Sequence, residues 1–198
     1  MLSPKSEGAI GSAILTSLTP MHPSSSFRHC PSCGIPRNPS PTQPLHCPAC
    51  NYTLYFNTTC ATAAFLERPD GMVLFIRRAK DPAKDKLAIP GGFIDEGETA
   101  EHGLQREFTE EVGLQLEDIR FLCSHPNSYH YKGLIYPVLD FFFTARTHAD
   151  AAPQSLDGVA STCWLDPASV DPSEIAFPSM VFALERFLER RRNPLYLH

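Results

Sequence analysis

Short apolar runs separated by turn signals fill the middle of the chain, a pattern typical of β-strands. The runs CATAAFLE (60–67) and MVLFIRR (72–78) flank the turn signal RPDG and predict an antiparallel hairpin. The run DIRFLCS (118–124), the run YPVLDFFFTAR (136–146) and a shorter one ending near Trp164 predict further strands. The main domain is therefore expected to be rich in strands.

A period of about four residues marks two helices. Residues 99–112 form an amphipathic segment that Thr99 caps and Gly113 ends. Residues 178–192 form a second amphipathic segment. The apolar positions are Leu104, Phe108 and Val112 in the first segment and Val181, Leu184, Phe187 and Leu188 in the second. Helices combined with strands predict an α+β fold.

Composition limits the classes of function. The 198 residues, 42% of them hydrophobic, are enough for one domain plus a small appendage. The 17 basic and 22 acidic residues make the protein mildly acidic. This balance argues against bulk binding to nucleic acid or to an anionic membrane, so any phosphate-bearing ligand must be held locally.

The first 26 residues are rich in Pro, Ser and Thr and show no sustained period, so residues 1–26 are expected to be disordered. One hypothesis is that translation starts at Met21. The weakly apolar segment GAIGSAILTSL is too short to span a bilayer and no convincing cleavage site follows it. We therefore expect a cytoplasmic protein.

Three glutamates crowd one face of the first helix. Glu107, Glu110 and Glu111 stand at positions i, i+3 and i+4, where their charges repel. Such a cluster is either a solvated surface face or a site for a hard divalent cation such as Mg²⁺ or Mn²⁺, which prefers carboxylate and carbonyl oxygen.

The context of these glutamates favours the cation. The segment GGFIDEGETAEHGLQREFTEEVGL (91–114) resembles the Nudix box in full. The matching residues are Gly92, Glu98, Arg106, Glu107, Phe108, Glu110, Glu111, Gly113 and Leu114. The resemblance implies an α/β/α sandwich with a mixed sheet and a pyrophosphohydrolase that cleaves a diphosphate bond in a nucleotide derivative.

The resemblance also implies roles for individual residues. One to three Mg²⁺ or Mn²⁺ ions would be held by Glu107, Glu110 and Glu111 together with the carbonyl of Gly91. Arg106 would pair with Glu98 and fix the loop against the helix. A general base is still useful, and both Glu98 and Glu110 remain open for that role.

The seven cysteines include two C-P-x-C pairs with thirteen residues between them. This spacing is close to that of a structural Cys₄ zinc site, which we expect to hold one Zn²⁺ in a ribbon over residues 27–55, ahead of a Nudix domain over 56–198. The four ligands would be Cys30, Cys33, Cys47 and Cys50. A redox or disulfide role is the alternative, and His29 and His46 are expected to be neighbours of the site and not ligands.

A zinc ribbon ahead of a Nudix domain resembles the NADH pyrophosphatase branch and related enzymes acting on ADP-ribose or FAD. The NADH branch carries Ser-Gln-Pro-Trp-Pro-Phe-Pro beyond the box, where this chain has SHPNSYHYKG, so Ser124 matches but Asn127 replaces the tryptophan. An ADP-ribose-like substrate or FAD is therefore ranked ahead of NAD(H) or NAD-capped RNA. Substrate contacts are expected from Ser124, Tyr129, Tyr131 and Tyr136, although tyrosines at such positions also serve ordinary strand packing.

Three questions stay open at this level. The NADH branch places a further metal-binding Glu where this chain has Gly158, and Asp157 is either its substitute or a turn residue. The partner is expected to be a small nucleotide, with nucleic acid limited to capped RNA ends, no membrane, and a second copy of the chain in a homodimer. A function of another class, a nucleotide-sensing regulator or RNA-binding module, is weighed against the intact set of glutamates and the lack of a basic stripe.

Overall fold

The computed structural model describes residues 21–38, 44–148 and 150–193, and its main feature is a mixed sheet between two helices. The expectations for residues 1–20 lie outside this range. A small two-stranded sheet is formed by β1 (Leu45–His46) and β2 (Thr53–Leu54). The large sheet contains β3 (Thr59–Glu67), β4 (Val73–Arg78), β5 (Leu87–Ala88), β6 (Gly91–Phe93), β7 (Glu117–Tyr131), β8 (Leu134–Arg146) and β9 (Val159–Leu165), and the helices are α1 (Ala100–Val112) and α2 (Pro178–Arg192).

The large sheet has the strand order β5-β4-β3-β8-β7, with β6 also paired to β3 and β9 to β4. The β3–β8 pair is parallel and the other pairs are antiparallel, so the sheet is mixed. The predicted hairpin over 60–78 is confirmed, because β3 and β4 pair antiparallel at Glu67 and Val73. The α+β prediction is confirmed as well.

Each face of the sheet is covered by one helix. Side chains alternate between faces along a strand, and those of Ala64 and Phe143 pack under Leu104 and Phe108 of α1. On the other face, Phe65 stacks on Phe187 of α2 with ring centroids 4.6 Å apart. This arrangement gives the α/β/α layering.

The ends of α1 follow the predicted capping residues. The Thr99 side chain accepts a hydrogen bond from the His102 N–H at 3.2 Å, which satisfies one free amide at the helix start. Gly113 takes a left-handed conformation with φ of +69° and ends the helix, a geometry that glycine adopts without steric cost. The cap residues thereby fix where the glutamates of the last two turns lie.

Strand β7 is longer than the predicted run 118–124, because SHPNSYHY continues it to Tyr131. Pro126 lies within this extension, opposite Leu139 of β8. A proline is tolerated there because β7 lies at the end of the strand order, where one side of the strand has no partner. The segment SHPNSYHY, which stands where the NADH branch has its tryptophan motif, is therefore part of a strand.

The N-terminal part of the described chain is attached to the β7–β8 turn. Met21 forms a bridge with Leu134, and the Ile135 N–H donates to the Met21 carbonyl at 2.9 Å. Pro23–Ser26 form a short 3₁₀ helix, so ordered structure is present before the expected boundary at residue 27. None of the helices in the described ranges has the length and apolar character needed to cross a bilayer.

Candidate active site

The carboxylates of α1 meet the glycine turn at the start of β6. The Gly91 N–H donates to Glu111 Oε2 at 3.0 Å. A Cβ at Gly92 would overlap the Glu107 carboxylate, and one at Gly91 would overlap the Thr62 carbonyl of β3. Glycine is therefore needed at both positions, because the backbone must approach the glutamates and β3 closely.

Arg106 braces the carboxylate cluster from the side. Its guanidinium donates to both oxygens of Glu98 at 2.8 and 2.9 Å, to Glu107 at 2.9 Å and to Glu110 at 3.1 Å. It also donates to the Phe93 carbonyl at 2.9 Å, which ties α1 to β6. These contacts fit the scaffold role expected for Arg106, since its donors are directed at protein groups.

Burial and pairing give the glutamates different acidities. Burial raises the pKa of Glu111 to about 8 and also raises that of Glu107. The hydrogen bonds from Arg106 lower the pKa of Glu98 to about 2. Arg106 offsets part of the charge of Glu107, whereas no lysine or arginine in the described part of the chain forms an ion pair with Glu111, so the two carboxylates together lack part of their counter-charge. A hard cation would supply that charge, so the donor set fits Mg²⁺ or Mn²⁺.

These carboxylates open into a cleft of about 370 Å³. Glu107, Glu110 and Glu111 line one side of it. The lining also includes Arg78, Lys80, Asp81, Asn127, Tyr129, Asp140, Phe177 and Met180. The cleft therefore combines an acidic side, basic residues and aromatic rings, which are the groups needed to hold metal ions, phosphates and a planar base.

Three aromatic side chains meet in this cleft. Tyr129 lies edge-on to Phe93, with ring centroids 5.5 Å apart, and 6.1 Å from the ring of Phe177. The guanidinium of Arg78 lies 5.1 Å from the Phe177 ring centroid and donates to the Pro82 carbonyl. The aromatic group is therefore placed beside a positive charge.

The structure brings only part of the predicted substrate set together. Tyr129 lines the cleft, whereas Ser124, Tyr131 and Tyr136 lie outside its lining. Ser124 pairs with Phe141, and strand alternation turns both toward the face opposite that of Asp140. Tyr131 is 44% exposed, and Tyr136 lies across the ladder from Tyr129.

Asp157 occupies the turn before β9 and also borders the cleft. Its carboxylate pairs with Lys80 at 2.8 Å, and this pairing lowers its pKa. The Asp157 N–H donates to the Glu110 carbonyl at 3.4 Å, which links the turn to α1. Asp157 is therefore a turn residue that borders the cleft, and its role as a substitute metal ligand stays a prediction.

Sequence reasoning missed a buried polar network at the inner wall of the cleft. Asp140 Oδ2 accepts hydrogen bonds from Ser179 Oγ at 2.6 Å and from Asn127 Nδ2 at 2.9 Å. Burial raises the pKa of Asp140, and the two hydrogen bonds oppose this shift. The available signal was a single acidic residue within the apolar run YPVLDFFFTAR.

The four predicted zinc ligands converge in the N-terminal region. The Sγ atoms of Cys30, Cys33, Cys47 and Cys50 all lie within 4.8 Å of one another. Two Sγ pairs are 3.7 and 3.8 Å apart, which agrees with the edge of roughly 3.8 Å of a tetrahedron with Zn–S bonds of about 2.3 Å. The donor set and its geometry therefore fit zinc.

The two cysteine turns are built alike. The Gly34 N–H donates to the Cys30 carbonyl and the Asn51 N–H to the Cys47 carbonyl, each at 2.9 Å. Gly34 and Asn51 both take a positive φ. A backbone hydrogen bond from Cys33 is the main cause that lowers the pKa of Cys30 to about 6, whereas the pKa of Cys33, although lowered by a backbone hydrogen bond from Ile35, is raised to about 12 by the contact with Cys50. Crowded thiols thus share their protons, and thiolate is the form that binds metal. His46 Nε2 donates to Asn51 Oδ1 at 3.0 Å, and His46 is not among the clustered ligand atoms.

Comparison with known proteins agrees with this site. The family model described as the NUDIX domain matches residues 58–187. An ADP-ribose pyrophosphatase of Methanocaldococcus jannaschii is 41% identical over 63 residues, 32% of this chain and 37% of that protein. The NAD-capped RNA hydrolase NudC of Deinococcus radiodurans is 30% identical over 105 residues, 51% of this chain and 37% of that protein.

A solved structure shares the fold of the main domain. The NUDIX domain of Shewanella oneidensis NrtR, complexed with ADP ribose, is 25% identical with a TM-score of 0.58, covering 68% of this chain and 89% of that one. In contrast, the matched region spans little more than a third of the length of the two curated relatives. The chain is therefore similar to only a part of each of these relatives.

Proposed function

The chain belongs to the Nudix domain family, and from that premise we propose that it hydrolyses the diphosphate bond of a nucleoside diphosphate derivative in a metal-dependent reaction. ADP-ribose-like compounds or FAD are the leading substrates, giving AMP and the phosphorylated remainder. The observation that carries this proposal is the cleft in which Glu107 and Glu111 share one cavity with Arg78 and Tyr129.

The acidic side of the cleft suits divalent cations. Glu107, Glu110 and Glu111, together with the backbone of Gly91, would hold Mg²⁺ or Mn²⁺. When bound, such an ion stabilises charge on the phosphoryl oxygens and makes the attacking water more acidic. The absence of a side chain at Gly92 leaves room for the Glu107 carboxylate beside the β6 backbone.

The two open candidates for the general base now differ. Both oxygens of Glu98 accept hydrogen bonds from Arg106, and the pKa of about 2 makes this carboxylate a poor proton acceptor. Glu110 is 54% exposed, lines the cleft and has one contact with Arg106 at 3.1 Å. We therefore assign the base to Glu110 and a structural role to Glu98.

The basic residues of the cleft suit the substrate diphosphate. Arg78 is anchored by its hydrogen bond to the Pro82 carbonyl, so its charge is positioned before a ligand arrives. Lys80 is paired with Asp157 at the rim, where both side chains are largely exposed. A phosphate oxygen competes readily for a surface lysine, because such ion pairs contribute little to stability.

NAD(H), including NAD-capped RNA ends, is the second candidate substrate. The NudC relative, an NAD-capped RNA hydrolase, supports it, whereas the pyrophosphatase relative and the NrtR complex concern ADP-ribose. Asn127 at the position of the tryptophan favours the ADP-ribose group. We also propose that residues 27–55 form a structural zinc ribbon and residues 56–198 the catalytic domain.

The test is release of AMP from a panel of ADP-ribose, FAD, NADH, NAD⁺ and NAD-capped RNA, with added Mg²⁺ or Mn²⁺. Glu111→Gln should reduce kcat/KM for the preferred compound by about 10³-fold or more, because it removes a metal ligand. Glu101→Gln is the matched control, since Glu101 is an exposed glutamate in the first turn of the same helix. The proposal fails if no panel compound is cut, and the sensor or RNA-binding hypothesis then replaces it.

A further inference from the structure

Asp140 is a carboxylate in buried and largely apolar surroundings, where an unpaired charge is unfavourable. It is only 8% exposed and interrupts an apolar strand, yet it borders the cleft. Ser179 and Asn127 both donate to Oδ2. The other oxygen, Oδ1, makes no hydrogen bond within the described part of the chain and is not completely buried. One acceptor atom of Asp140 is therefore open to the cleft.

The sheet register places Asp140 away from the metal-binding end. Asp140 pairs with Ala61 of β3, which pairs in turn with Phe93 of β6. Adjacent strands lie about 4.8 Å apart, so Asp140 is roughly 10 Å from the β6 backbone. Gly91, beside Glu111, lies two residues further along β6. This separation excludes Asp140 from the acidic cluster and suits the base end of a bound nucleotide.

Asn127 supplies a donor next to this acceptor. Its Oδ1 accepts from the Ser128 N–H at 2.8 Å, and one hydrogen of Nδ2 is used by Asp140. An amide nitrogen has a second hydrogen, and Asn127 also lines the cleft. Tyr129 follows two residues later on the same face of β7. The cleft thus presents an acceptor, a donor and an aromatic ring side by side.

We propose that Asp140 and Asn127 recognise the base of the substrate as adenine. Asp140 Oδ1 accepts a hydrogen bond from the 6-amino group, Asn127 Nδ2 donates to N1, and the base packs against Tyr129 and Phe177. Hypoxanthine and guanine carry an oxygen at C6 and a hydrogen on N1. With either base, acceptor would face acceptor at Asp140 and donor would face donor at Asn127. This inference rests on the proposed function and specifies its base.

The experiment measures base preference in two ways. Turnover of ADP-ribose is compared with that of its hypoxanthine analogue, and binding of AMP is compared with that of IMP by calorimetry. The wild-type protein should favour adenine by about 10²-fold or more in both, because a buried acceptor left facing the C6 oxygen disfavours the wrong base. Asp140→Asn should reduce this preference below about 5-fold, since its amide can donate to that oxygen.

Ser179→Ala is the matched control, because it removes the bond that joins Asp140 to the start of α2 and leaves Oδ1 in place. Its thermal stability should fall while the base preference stays within about 2-fold of wild type. Equal losses for adenine and hypoxanthine ligands in Asp140→Asn would overturn the inference and leave a purely structural role. Absence of turnover with an intact AMP preference would instead contradict the proposed hydrolysis alone.

Discussion

The two ligand clusters of this protein differ in what holds them together. The cysteine turn at 47–51 is flanked by β1 and β2, which contain two residues each, and the turn at 30–34 by a single bridge between His29 and Pro36. The glutamates of α1 lie on a helix whose other face is buried under the large sheet, with Leu104, Phe108 and Val112 fully enclosed. The thiols have little apolar packing behind them, whereas the carboxylates rest on the main core.

The counter-charge differs as well. Arg106 already offsets part of the repulsion among Glu98, Glu107 and Glu110. No lysine or arginine among the described residues contacts the four sulfur atoms in this way. From this comparison we expect that zinc would be part of the fold of the ribbon, whereas a catalytic cation would bind to a cleft that the protein has already formed.

Removal of one zinc ligand should give the largest effect. In Cys47→Ser the zinc content should fall from one ion per chain to nearly none, because a structural Cys₄ site contributes on the order of 10 kcal/mol and needs all four ligands. The amides of Gly34 and Asn51 should lose protection from hydrogen exchange. The main domain should melt at an unchanged temperature, since its core does not include the ribbon.

Cys60→Ser is the control for this experiment, because Cys60 is a half-buried cysteine at the start of β3 outside the cluster. It should retain one zinc ion. If Cys47→Ser still binds zinc at full stoichiometry, or if its turn amides remain protected, the ribbon folds without the metal and the contrast between the two regions disappears.

Loss of Arg106 should have the second largest effect. Arg106→Ala removes a partly buried guanidinium from four carboxylates, those of Asp95, Glu98, Glu107 and Glu110, and the free energy of unfolding should fall by about 2–3 kcal/mol. Added Mg²⁺ should restore more stability to the variant than to wild type, because the cation takes over the missing charge. Chemical denaturation with and without Mg²⁺ measures both effects.

Arg120→Ala provides the comparison for a surface arginine, whose pair with Asp118 is exposed. Its free energy of unfolding should change by no more than about 0.5 kcal/mol. A loss in Arg106→Ala as small as that in Arg120→Ala would show that the cleft does not depend on its internal counter-charge.

Local motifs made much of the molecule predictable from sequence. The turn glycines, the cap at Thr99 and the spacing of the cysteines each act over a few residues, so α1 and the thiol cluster could be located without knowledge of the fold. The hairpin of β3 and β4 followed from its turn in the same way.

The rest of the cleft depends on contacts between distant segments. Arg78, Asp140 and Phe177 come from β4, β8 and the residue before α2, and no sequence period connects them. Ser124 was expected at the substrate because the motif comparison located it there. Side chains alternate between the two faces of a strand, and β7 continues through Asn127, so Ser124 lies on the face opposite that of Asn127. The length of this strand was therefore the missing information.

The two regions should also differ in their response to pH. Glu111 has a folded pKa of about 8 against an ordinary value of 4.5, so between these values the folded state binds a proton that the unfolded state has released. The stability of the protein without magnesium should therefore decrease as pH rises from about 4.5 through about 8, lowering the Tm by a few degrees per pH unit. Added Mg²⁺ or Glu111→Gln should flatten this slope, because neither leaves an uncompensated charge at the site.

The ribbon should respond in the opposite direction, with zinc lost at low pH as its thiolates are protonated. Parallel Tm profiles for wild type and Glu111→Gln would show that the Glu111 carboxylate is not the group whose titration weakens the cleft.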